Sequence, residues 1–186
     1  MIERCRNLFL LHRHRDSTPA HSVVLIDSED DALPIERILC DDLRMIGTAW
    51  LDMPRREGEA LPRWDAFDCR RFVTVLDKMC VVRAMDWQCD RIEFSLYGGH
   101  ATDHIGLGKP LSLQQMRLDP LRKANYLDTR DRVGRSIDHA APQYARKTLS
   151  WNQDPNTEYE ILTLPFMPQE GFQRILCPVS ARLRDI

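Results

Sequence analysis

The sequence predicts an α+β domain: an antiparallel sheet with helices on one face, preceded by an amphipathic helix. Three observations predict it. Ile35, Leu39, Leu43, Ile46 and Trp50 recur at helical spacing ahead of any strong strand signal. RIEFSLY (91–97) alternates apolar and polar residues with a period of two. Three more strand-like runs follow one another at hairpin spacing near the C-terminus, which suits a meander.

The chain of 186 residues is long enough for one domain with its own core. Residues 1–20 read as a polar arm, and their basic cluster LHRHRD (11–16) reads as solvated. HSVVLI (21–26) is a short β-like run. SEDD (28–31) then supplies caps and favourable charge for a helix whose first turn holds Pro34. Glu36, Arg37, Asp41, Asp42 and Arg44 form the other face of that helix, which Pro54 and RREGEA end.

In LPRWDAFDCRRF (61–72), Asp65 or Asp68 caps a short helix running through Phe72 and Leu76. KMCVVRAMDW (78–87) is β-rich and QCD turns it into RIEFSLY, where Ile92, Phe94 and Leu96 point one way. Gly98-Gly99 stops that strand because glycine tolerates unusual backbone angles. Gly106, Gly108 and Pro110 allow only short helical turns over 100–118. Asp119-Pro120 starts a longer helix that Gly134 ends. The strands PQYARKTLSW (142–151), TEYEILTLPF (157–166) and FQRILCPVSARL (172–183) complete the chain. With strands at both ends and helices between, an antiparallel sheet with helices on one face is the economical arrangement.

Composition narrows the role. A net charge of −2 gives no electrostatic reason for nucleic acid or an anionic membrane as partner. No run approaches the roughly 20 apolar residues of a spanning helix, and Leu8 to Leu11 is too brief for a signal-peptide core. The expectation is a cytoplasmic protein without membrane insertion. Cys5, Cys40, Cys69, Cys80, Cys89 and Cys177 include no C-x-x-C pair and read as reduced, mostly apolar residues. No G-x-S-x-G elbow is present, and GLGKP (106–110) lacks phosphate-loop spacing.

Trp50, LPRWDAF (61–67), FSLYGG (94–99), GLGKPL (106–111) and EILTLPF (160–166) occur in an order that resembles the PAS domains found as near-single-domain proteins in alphaproteobacteria. The resemblance covers residues 46–183, about three-quarters of the chain. It implies a PAS-like five-stranded antiparallel sheet with helices packed over it, acting as a sensor or interaction module. Cys69 stands where the family tends to place proline, and His100 where a small hydroxyl residue is common. The division is then an arm at 1–30, the amphipathic helix at 31–54 and a PAS-like domain at 55–186.

Candidate residues follow from pattern and resemblance together. Phe94, Leu96, Trp151 and Leu162 are expected to line the space between sheet and helices, as either a filled core or a small-ligand pocket. His100 and His104 are four apart, a spacing that lets two histidines share a metal on a helix, but the flanking glycines interrupt one and no third ligand is evident. The resemblance makes His104 a candidate ligand-binding residue, as an axial haem ligand. Ile35, Leu39, Leu43, Ile46 and Trp50 are the expected interface.

The leading expectation is a non-enzymatic signalling module that binds another protein, forms a homodimer and is gated by a small-molecule ligand of unknown identity. The alternatives are a haem-type redox or gas sensor and a small hydrolase or isomerase with a spatially assembled site.

Overall fold

The computed structural model describes residues 25–26, 32–85, 91–99, 120–148, 157–169 and 171–183. Its strands are β1 (Leu25–Ile26), β2 (Ala32–Leu33), β3 (Cys80–Ala84), β4 (Ile92–Tyr97), β5 (Gln143–Thr148), β6 (Thr157–Pro165), β7 (Gln173–Leu176) and β8 (Val179–Leu183). Its α-helices are α1 (Asp41–Leu51) and α2 (Pro120–Asp138). The class is α+β, with a mostly antiparallel sheet ordered β2-β1-β5-β6-β7-β3-β4 and β8 also paired to β6.

β7 and β8 are one physical strand. Leu164 opposes Leu176 and Ile161 opposes Val179, so both halves keep a single register against β6. Across the break the Leu162 N–H donates to the Pro178 carbonyl at 3.0 Å. Pro178 has no N–H to return, and the ladder is interrupted there. Five strands, β4, β3, β7–β8, β6 and β5, therefore form the body of the sheet.

Helices lie on both faces rather than one. Met79, Val81, Leu162, Leu164 and Leu176 share a core with Leu43, Ile46 and Trp50 of α1. Their strand neighbours Cys80, Val82, Ile175 and Cys177 share a second core with Val133 of α2. Alternation along a strand sends successive residues to opposite faces. β6, paired on both edges and covered on both faces, is buried along its whole length.

The N-terminal helix is shorter than expected. Ala32–Leu33 is a strand, Ile35–Arg37 a 3-10 turn, and Ile38 and Cys40 are extended before α1 begins. A carboxylate on β6 accounts for the delay. Glu160 Oε2 accepts the Leu39 and Cys40 N–H groups at 3.1 and 3.0 Å, holding the chain extended and capping α1 from outside the helix.

In the 61–72 stretch Asp68 is the cap: its carboxylate accepts the Arg70 N–H at 3.2 Å. It opens a 3-10 segment, Cys69–Lys78, kinked at Phe72. Trp64 and Phe67 pack their rings on Phe166 at 4.9 and 5.8 Å between centroids, and the Pro62 carbonyl accepts the Met167 N–H. The stretch thus clamps the end of β6.

Two glycines act differently from expectation. α2 runs through Gly134 to Asp138, because Val133, Ser136 and Ile137 are packed beneath it and outweigh the roughly 1 kcal/mol helix penalty of glycine. Gly98 does end β4, but for lack of space: a Cβ there would lie 2.0 Å from the Asp77 carbonyl oxygen.

Candidate functional site

Four strands each place one residue in a line across the face of the sheet that α2 covers. Gln143 on β5 stands opposite Thr163 on β6. The shared register of β7 and β8 puts Cys177 opposite Thr163. The Cys177 N–H then donates to the Cys80 carbonyl on β3 at 2.7 Å. With strands about 4.8 Å apart, this row spans roughly 14 Å.

α2 returns over the row. A short turn joins it to β5, so the two run antiparallel. Asp128 on α2 accepts a hydrogen bond from Lys147 on β5. Ser136 lies two turns further on, about 12 Å along the helix. Gln143 lies about 13 Å from Lys147 along the strand. Ser136 therefore comes level with Gln143, and Arg132 lies between the two levels.

The polar groups in this layer are deeply buried and incompletely paired. Arg132 is 4% exposed, Gln143 1% and Thr163 0%. Arg132 donates to Asp128 and to Thr129 Oγ1, but its Nε has no partner among the described residues. Gln143 Nε2 and Oε1 also have none among the described residues, and Thr163 Oγ1 has only the Cys177 thiol beside it. Ser136, by contrast, donates to the Val133 carbonyl at 2.9 Å. Each buried polar atom left unsatisfied costs about 1–3 kcal/mol, so this layer holds an unusual concentration of unmet hydrogen-bonding capacity.

Its electrostatics are asymmetric. Burial pulls the Asp128 pKa upward, but Arg132 and Lys147 together outweigh it and hold the carboxyl below its ordinary value. Burial and then Arg132 lower the Lys147 pKa, against the pull of Asp128. Two cations thus share one carboxylate. Burial pushes the Cys177 thiol up to about 11 and Cys80 well above its ordinary value, while Arg132 pulls both the other way and the Thr163 hydroxyl also pulls Cys177 down. Neither is a thiolate at neutral pH, so neither is poised as a nucleophile.

The residues expected to line a ligand site do not converge. Phe94 packs on the α2 face. Leu162 faces α1, with a methyl 3.0 Å from where a Gly47 Cβ would stand. Leu96 is 48% exposed, because the β3–β4 register shifts between Val81 and Val82. That bulge at Ser95 breaks the alternation and turns Leu96 away from Ile92 and Phe94. His100, His104, the GLGKPL segment and Trp151 lie outside the described residues.

The expected interface is likewise redistributed. Ile35, Leu43, Ile46 and Trp50 are buried in the chain's own core, and the Trp50 indole N–H donates to the Pro165 carbonyl at 3.0 Å. Leu39 stays 44% exposed. The outer side of α1 presents Met45 and an open groove of about 480 Å³, lined in part by Glu36, Asp41, Arg44, Met45, Asp52 and Arg71.

Gln143, Thr163 and Arg132 were not among the sequence candidates. A local signal existed: Thr163 interrupts the apolar run of β6, and Arg132 sits beside Val133. Their alignment, however, depends on the registers of four strands, which no local pattern specifies. No helix of the described residues is long and apolar enough to cross a membrane. No family model, curated protein or solved structure matches the chain.

Proposed function

We propose that this protein is a non-enzymatic signalling module of PAS type, gated by a small molecule bound between α2 and the sheet. One observation carries the reading: among the described residues, Arg132 and Gln143 keep unmet hydrogen-bonding capacity in a layer more than nine-tenths buried. A mostly apolar interior with a few convergent polar groups is the usual form of a small-ligand site. The mostly antiparallel α+β architecture agrees with the PAS resemblance.

The signal leaves through the outer side of α1, by homodimerisation or by contact with a protein partner. β6 links the two levels. Thr163 belongs to the buried row on one face, while Leu162 and Glu160 support α1 on the other. A displacement of β6 by ligand therefore reaches the start of α1 directly.

Hydrogen exchange tests this on the intact chain. Native mass spectrometry first identifies a molecule that co-purifies and is released on denaturation. Its removal should change exchange protection over 39–51, and Met45→Glu should weaken self-association or partner binding without lowering stability. A chain with no co-purifying molecule, whose association is untouched by Leu39→Glu and Met45→Glu, would overturn the reading. Deleting the N-terminal segment is not a usable test, because Leu43, Ile46 and Trp50 belong to the core.

A further inference from the structure

The hydrogen-bonding inventory of the buried row selects a class of ligand. Arg132 Nε–H and the two Gln143 amide N–H groups are donors without a partner among the described residues, while the Thr163 hydroxyl beside Cys177 has lone pairs to accept with. The Gln143 amide offers both its N–H groups in either flip state. Three N–H donors can thus converge on one acceptor group of a ligand.

Charge points the same way. Arg132 and Lys147 both bond to Asp128, leaving one positive charge uncompensated among the described residues of this cluster. Glu158 and Glu160 fall on the alternate face of β6, where Glu160 bonds to Tyr144 and the start of α1. Asp131 is on α2 but pairs with Arg130 in an exposed position. The neighbouring thiols are neutral at physiological pH.

Beside the row the lining becomes apolar. Val82, Ile92, Phe94, Val133 and Ile175 extend the same layer toward β3 and β4. We propose that the site takes a small monocarboxylate: the carboxylate at Arg132, Gln143 and Thr163, the hydrocarbon body among Val82, Ile92 and Phe94. This rests on the ligand-gated reading above and narrows it to one chemistry.

The test is binding of straight-chain carboxylates from acetate to octanoate, beside their primary amides, to the full-length protein by calorimetry and thermal melting. The variant is Gln143→Leu with Thr163→Val, which removes an unpartnered amide and a hydroxyl set against the Cys177 thiol, and should melt at or above the parent temperature. The expected result is saturable binding of at least one carboxylate, with its amide at least tenfold weaker and its affinity in the double variant reduced at least tenfold. Arg132→Lys, which keeps the charge but loses the Nε donor, should also weaken binding. If amides bind as well as acids and the double variant loses both, the carboxylate proposal fails while the ligand-gated reading stands. If carboxylate binding is unchanged in the double variant, the assigned site is wrong. If no acid or amide binds and the double variant merely melts higher, the row is a hydrated part of the core and both ideas fail.

Discussion

Tyr144 on β5 donates its hydroxyl to Glu160 on β6 at 2.9 Å, and the same carboxylate oxygen accepts the two N–H groups that precede α1. One buried side chain thus ties sheet and helix together at the point where the chain turns from extended to helical. The two residues are diagonal cross-strand neighbours on the α1 face, because Tyr144 opposes Leu162 and Arg146 opposes Glu160.

Tyr144→Phe removes one of the three donors to Glu160 and should cost about 1–2 kcal/mol. Glu160→Leu strands two backbone N–H groups and a hydroxyl, and should cost more than about 3 kcal/mol. Urea titrations of both variants check the ranking. Burial, then the bond to Glu160, raise the Tyr144 pKa above its ordinary 10.0. A raised folded pKa gives stability that is whole below pH 10 and is lost as pH rises toward the folded value. The parent should therefore lose stability above pH 10 more steeply than Tyr144→Phe. Parallel alkaline limbs would contradict this role.

The pair Gly98 and Gly99 offers an internal control. A Cβ at Gly98 meets the Asp77 carbonyl oxygen at 2.0 Å, and backbone cannot move aside as a flexible side chain can. A Cβ at Gly99 meets none of the described residues within 4 Å. Gly98→Ala should cost about 2 kcal/mol or more, in the range of overpacking, while Gly99→Ala should change stability by less than about 0.5 kcal/mol, as surface changes usually do. Thermal melts of the two variants separate steric from conformational demand. Equal melting temperatures would show that the crowding at Gly98 is absent.

These cases show where sequence was sufficient. The amphipathic stripe of α1, the Asp68 cap and the C-terminal meander are local patterns, legible because side-chain periodicity and capping act within a few residues. The bulge at Ser95 was not legible, since its cause is the pairing with β3 rather than anything in RIEFSLY itself. Nor was the use of the α1 stripe: an apolar helix face announces burial, but whether another chain or its own β6 covers it depends on which sheet face is free. The buried row needed still more, the registers of β5, β6, β7–β8 and β3 together. Glu160 read as an ordinary strand residue, because its donors are 120 and 121 positions away in the chain.

α2 ends on a residue that resists the required backbone. The Ala141 N–H reaches the Ser136 carbonyl and the Ala140 N–H the Ile137 carbonyl, the two bonds of a Schellman end, with Ala140 at φ 48°. A left-handed conformation costs a non-glycine residue roughly 1–2 kcal/mol. Ala140→Gly relieves that strain but loosens the unfolded chain, so the net gain should be about 0.5–1 kcal/mol. A lower melting temperature for the glycine variant would mean that the alanine methyl packs usefully enough to offset the strain.

The acid limb of stability should report Asp128. Its folded pKa lies below the ordinary 3.8, because Arg132 and Lys147 outweigh the effect of burial. A depressed folded pKa gives stability that is present above the unfolded value and disappears as pH falls through the folded one. Lys147 stays protonated in both states at acid pH and adds nothing to this limb. Between about pH 4 and pH 2 the parent should therefore lose stability that Asp128→Asn has already lost at neutral pH, and their stabilities should converge as pH falls. Urea midpoints across that interval measure the convergence. Midpoints that stay a constant distance apart would show that the carboxylate of Asp128 is not what holds α2 to Lys147 of β5.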